Sequence, residues 1–184
     1  LLDGYRLTLH WEAIDAFKES YPALAVTQAL FEIDRRRITC AGGTASIAWD
    51  GDLTVTFYGG MSYWTLSDPV LTVAGGSGQV TATVSGYGTA MDDPSSWVAL
   101  APREVVLADL RSVTVDADGF TVTPDYLGVE VTPASGTQTR TGATWGAFPQ
   151  SFVDFQALTG QSSYWYSSGG SADPRKVATP LSVA

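Results

Sequence analysis

The side chains with the most capacity for chemistry in this sequence are aromatic, because imidazoles and thiols are nearly missing. His10 is the only histidine and Cys40 the only cysteine, against eight tyrosines and six tryptophans. A serine nucleophile would need His10 as its base, and no Gly-x-Ser-x-Gly turn is present. Zinc sites draw on several His or Cys ligands, and neither a phosphate loop nor a dinucleotide fingerprint occurs. Acidic residues are plentiful, yet no feature pairs two of them as glycoside hydrolysis would require. With so little general acid–base equipment, the chain is expected not to be an enzyme. A single cysteine also forbids an internal disulfide, and Cys40 reads as a small buried core residue.

The elements that must position these side chains read as mostly strands. The chain is 45% hydrophobic and 16% charged, a balance that favours a packed core over disorder. Residues 5–11 alternate like a strand. From Trp11 the spacing changes: Trp11, Ile14, Phe17 and Tyr21 fall on one helical face, which Pro22 ends or kinks. Strands are expected at 44–49, 53–57, 62–66, 70–73, 79–84, 105–110, 113–115, 120–123 and 129–132. Asp50-Gly51 is a hairpin signal, Asp68-Pro69 a break, and residues 88–102 read as a loop. Phe152, Phe155 and Leu158 mark a short helix near the end. The expectation is one domain over residues 1–184, an all-β antiparallel sandwich of immunoglobulin-like type with one or two short helices.

The formal net charge of −9 and the lack of a basic stripe argue against nucleic acid as a partner. The one basic run, Arg35 to Arg37, reads as a solvated turn. No apolar run reaches the roughly 18 residues of a membrane span. The Leu-Leu-Asp-Gly start reads as a processed chain or an excised domain.

Three segments carry a family resemblance. Residues 55–69, VTFYGGMSYWTLSDP, are similar to a strand, glycine turn and strand that end in a Ser/Asn/Asp-Pro step. Residues 142–149, GATWGAFP, followed by a short helix, Tyr166-Ser-Ser-Gly169 and Asp173-Pro174, are similar to a closing segment. Trp11 and Phe17 sit at the spacing of an opening helix. In that order the three resemble the HtaA family of actinobacterial haem-binding domains. The resemblance implies a secreted, cell-surface module that captures ferric haem and relays it for iron uptake. Haem, a haem-carrying protein and other envelope relay proteins would be its partners.

Tyrosinate is a hard anionic ligand for ferric iron. The family's ligand position falls on Ser20 and its assisting turn histidine on Tyr58, so this chain departs from the usual pair. The resemblance therefore leaves Tyr58 as axial ligand, with Tyr21 as the alternative, His10 as a further ligand candidate and Tyr166 at the pocket rim. The glycines after Tyr58 would permit a flat ligand to approach. A half-buried structural role is the competing reading of each tyrosine. The competing function is an envelope structural or adhesion sandwich that has lost haem.

Overall fold

A computed structural model describes residues 6–8, 25–27, 36–41, 43–57, 62–90, 93–116 and 118–183, with side chains from residue 43 onward except 89–97. The fold is an all-β sandwich of mainly antiparallel strands, with one short α-helix among the described residues. The described strands are β1 (Arg6–Thr8), β2 (Ala25–Thr27), β3 (Arg36–Ala41), β4 (Thr44–Trp49), β5 (Asp52–Phe57), β6 (Ser62–Ala74), β7 (Ser77–Ala90), β8 (Asp93–Arg111), β9 (Phe120–Val122) and β10 (Leu181–Val183). The helix α1 spans Gln150–Leu158. The main sheet runs β3-β4-β6-β7-β8, with β5 also on β6; β9 and β10 form a second antiparallel pair, and β1 and β2 a short parallel one.

Two departures from the sequence expectation share a cause. Asp50-Gly51 is not a hairpin: β4 pairs with the second half of β6 and β5 with the first half, so the chain passes straight through the dipeptide. Asp68-Pro69 likewise does not end β6, although the register shifts between Ser67 and Val70. The two sites face each other and form one kink across neighbouring strands. Asp68 N–H donates to the Gly51 carbonyl at 3.0 Å, and Gly51 N–H donates to Asp68 Oδ1 at 3.0 Å. Asp68 takes a φ of 47°, which aspartate tolerates better than most side chains. A bulge of this kind bends a strand without breaking its pairing. The Gly75-Gly76 turn, by contrast, is a true two-residue hairpin that returns β6 into β7.

The expected loop at 88–102 is also strand. β7 runs to Ala90, and β8 begins at Asp93 with a two-residue connection. Pro102 interrupts the alternation there, but it lies within the register shift between the Val84–Arg103 and Gly86–Leu100 pairs, on an edge strand. Edge strands and bulges are where a proline fits a sheet. Residues 113–115 and 129–132, expected as strands, are irregular.

The core lies between the main sheet and the layer built by β9, β10, α1 and their connecting turns. Ile47, Leu71 and Val84 are fully buried on the sheet's inner face, and Phe120, Val122, Phe148, Phe152 and Phe155 face them. Burial of each such side chain contributes about 1.5–3 kcal/mol. The helix forms where the aromatic spacing placed it, with Phe152 and Phe155 inward and Leu158 exposed. Trp64 receives both phenylalanines edge-on, at 5.4 and 6.4 Å between ring centroids.

Candidate functional site

Of the residues singled out for haem, Tyr58, Tyr21, Ser20 and His10 lie outside the described residues. Tyr166 is described and buried. Its ring packs with Val131, Ala147 and Val153, and its hydroxyl donates to the Ser135 carbonyl at 3.2 Å. That hydroxyl ties two loops together. Among the described residues, no group of three or more His, Cys, Asp or Glu side chains gathers as a metal site.

Beside Tyr166 is a charged clasp that sequence reasoning missed. Lys176 Nζ donates to Asp173 Oδ1 at 2.6 Å, the Ser163 carbonyl at 2.8 Å, the Tyr166 carbonyl at 2.9 Å and Ser168 Oγ at 2.9 Å. The Asp173 carboxylate also accepts the backbone N–H groups of Ser168 and Gly169. Burial alone would push the Asp173 carboxyl upward. The Lys176 and backbone hydrogen bonds, with the Lys176 charge, outweigh that and hold it below the usual carboxylate range. Burial and the nearby Asp173 charge push the Tyr126 phenol far above its ordinary range, so it stays protonated. The sequence signal was Asp173-Pro174, a turn marker that says nothing of a lysine three residues on.

An aromatic cluster centres on Trp165, next to Tyr166 in the chain. Trp165 meets Phe152 at 4.7 Å, Phe148 at 5.5 Å and Trp64 at 5.9 Å, all edge to face. The indole nitrogens of Trp64 and Trp165 are buried in this cluster without a hydrogen-bond acceptor.

Among the described residues, the more exposed side chains of the main sheet lie on its outer face. Strand pairing fixes its rows: Thr56, Tyr63, Tyr87 and Ala99 in one; Asp52, Ser67, Thr83 and Glu104 in another; Thr72, Gln79 and Asp109 in a third. Cross-strand contacts confirm the shared face. Thr54 Oγ1 and Thr65 Oγ1 are 3.0 Å apart, the Tyr63 and Tyr87 rings 5.2 Å apart, and Gln79 Nε2 donates to Asp109 Oδ1 at 2.8 Å. At the Gly75-Gly76 end a groove of about 550 Å³ opens, lined by Thr72, Ser77, Gln79, Asp109, Arg111 and their neighbours. Arg111 Nε lies 2.7 Å from Asp125 Oδ2, an ion pair whose N–H is misaligned for a hydrogen bond. Hydroxyl, amide, carboxylate and guanidinium groups thus share one shallow site. It can hold a small polar molecule by hydrogen bonds, and it contains no nucleophile–base pair.

Comparison with known proteins gives a different relation from the one the sequence motifs implied. No family model matches the chain, and no solved structure matches it. The chain is similar to the HTH-type transcriptional regulator CdhR of Pseudomonas aeruginosa, 70% identical over 59 residues, which are 32% of this chain and 18% of that protein. It is similar to the HTH-type transcriptional regulators GbdR and ArgR of the same species, each 51% identical over 45 residues, 24% of this chain and 12% or 14% of the relative. The chain spans less than a fifth of the length of these curated relatives.

These matches overturn the HtaA resemblance and, with it, haem capture and relay, the haem-carrying and envelope partners, and the cell-surface location. The competing envelope or adhesion role loses its ground for the same reason. The exclusion of nucleic acid is corrected as well. It rested on the net charge and the lack of a basic stripe, which are read over the whole chain and do not speak for a short segment shared with regulators. The motifs misled because strand, glycine turn, strand and Asp-Pro are what antiparallel sheets use generally.

Proposed function

We propose that this chain serves transcriptional regulation inside the cell, as part of a protein whose partner is DNA. The observation that carries this reading is the 70% identity over 59 residues to CdhR, supported by the shorter matches to GbdR and ArgR. Within it, the β-sandwich supplies a receiving and assembly surface, and the element that reads bases lies elsewhere. A recognition helix must stand clear of its domain to enter the major groove. Helix α1, the one α-helix among the described residues, is nine residues long and buries Phe152, Val153, Phe155 and Gln156. The groove beside Gln79, Asp109 and Arg111 is suited to a small polar effector.

Transcript profiling tests this. Deleting the coding sequence in its host, then restoring it, is expected to change and recover a limited set of transcripts. Unchanged transcripts across growth conditions would overturn the reading.

A further inference from the structure

We propose that the groove beside the Gly75-Gly76 turn is a binding site for a neutral monosaccharide. The proposal deepens the regulatory reading, in which this groove takes a small polar effector, and rests on it for the use made of the ligand. The first argument is the mix of hydrogen-bonding atoms. Strand register sets Gln79 between Thr72 and Asp109 in one row, and Ser77 beside Arg111 in the next. Three planar side chains there are each held at one end and open at the other. Gln79 Nε2 donates to Asp109 Oδ1 at 2.8 Å, and Arg111 Nε lies 2.7 Å from Asp125 Oδ2. Within the described residues, Gln79 Oε1, Asp109 Oδ2 and the two terminal nitrogens of Arg111 have no hydrogen-bond partner. Two acceptors and a forked donor therefore line the groove, and the Thr72 and Ser77 hydroxyls can act as either. A sugar hydroxyl also both donates and accepts, so a ring of them can answer every one of these atoms.

The second argument is charge. The carboxylates of Asp109 and Asp125 outnumber the Arg111 guanidinium, and the whole chain carries −9, so the groove disfavours an anion. Asp125 already meets the Arg111 charge, which leaves the terminal nitrogens as hydrogen-bond donors more than as an ion-pairing partner. A purely cationic ligand would pair with Asp109 and leave those donors unanswered. A neutral, hydroxyl-rich molecule serves both. The third argument is size. The two rows lie about 7 Å apart, two residues along β8, a span that one sugar ring bridges. The volume of about 550 Å³ falls within the range of about 300–1,000 Å³ common to small-molecule sites.

The test is amide-resolved NMR on the full chain, titrated to about 100 mM with D-glucose, D-galactose, D-mannose and D-xylose in turn. At least one sugar is expected to saturate shifts at Thr72, Ser77, Gln79, Asp109 and Arg111, with a dissociation constant of about 1–10 mM. Gln79→Ala and Thr72→Val change exposed side chains. Each is expected to weaken that binding at least about fivefold and to leave the melting temperature unchanged. Leu158→Glu, away from the groove, should leave the binding unchanged. Absence of saturable shifts at these residues with all four sugars would overturn the proposal. So would tighter binding of D-glucuronate, γ-aminobutyrate or putrescine, which would make the groove a site for an anion, a zwitterion or a cation. Binding indifferent to both groove substitutions would overturn it too. None of these results depends on the host's transcripts, so the two readings fail separately.

Discussion

Replacing Lys176 with methionine isolates what the clasp contributes. The Lys176 and Asp173 side chains are 9% and 12% exposed, so the ion pair is largely desolvated. Lys176→Met keeps most of the stem's packing and removes all four contacts of the ammonium. It leaves the Asp173 carboxylate buried with only Ser168 and Gly169 as donors, and two carbonyls lose a partner. Breaking a buried pair from one side costs about 3–5 kcal/mol. For a chain of this size each kcal/mol moves the melting temperature by about 2–4 °C, so a fall of about 6–20 °C is expected.

Urea unfolding followed by tryptophan fluorescence would measure it, with the slope unchanged and the midpoint lowered. Acidification supplies a second arm. The Asp173 carboxyl is held below its unfolded value, so its contribution is present above the ordinary carboxylate range and is lost as pH falls through the folded value. In the variant the same acidification removes a buried unpaired charge. The gap between wild type and Lys176→Met should therefore narrow as pH falls. A loss under about 1 kcal/mol, or a gap that widens in acid, would refute the reasoning.

Other changes test the packing. A Cβ at Gly146 would collide with the Tyr126 carbonyl oxygen, so Gly146→Ala should cost upwards of about 3 kcal/mol; a near-neutral melt would show the two segments further apart than described. Tyr166→Phe removes only the bond to Ser135 and should cost about 1 kcal/mol by urea titration, while a loss above about 3 kcal/mol would give that hydroxyl a larger role.

The sequence made the strands and the helix legible wherever burial alternates cleanly. β4 shows one inner side chain in two, Ala45, Ile47 and Trp49, and its bounds match the expectation. Helix α1 announced itself through Phe152 and Phe155. What stayed hidden depended on partners. Asp50-Gly51 and Asp68-Pro69 each carry a turn signal, and only their pairing across β4–β5 and β6 makes them one kink. Pro102 looked like a loop residue because its bulge is defined by β7. The outer face was illegible for the same reason: Gln79 and Asp109 become neighbours through strand register, at a sequence distance no periodicity reports. Lys176 was passed over because its four acceptors come from three separate turns.

Genome-wide occupancy is the most direct measurement of the regulatory claim. With the chain tagged in its host and crosslinked to DNA, recovered fragments should concentrate at discrete sites upstream of genes whose transcripts respond to its deletion. Fragments spread evenly over the genome, indistinguishable from an untagged strain, would contradict it.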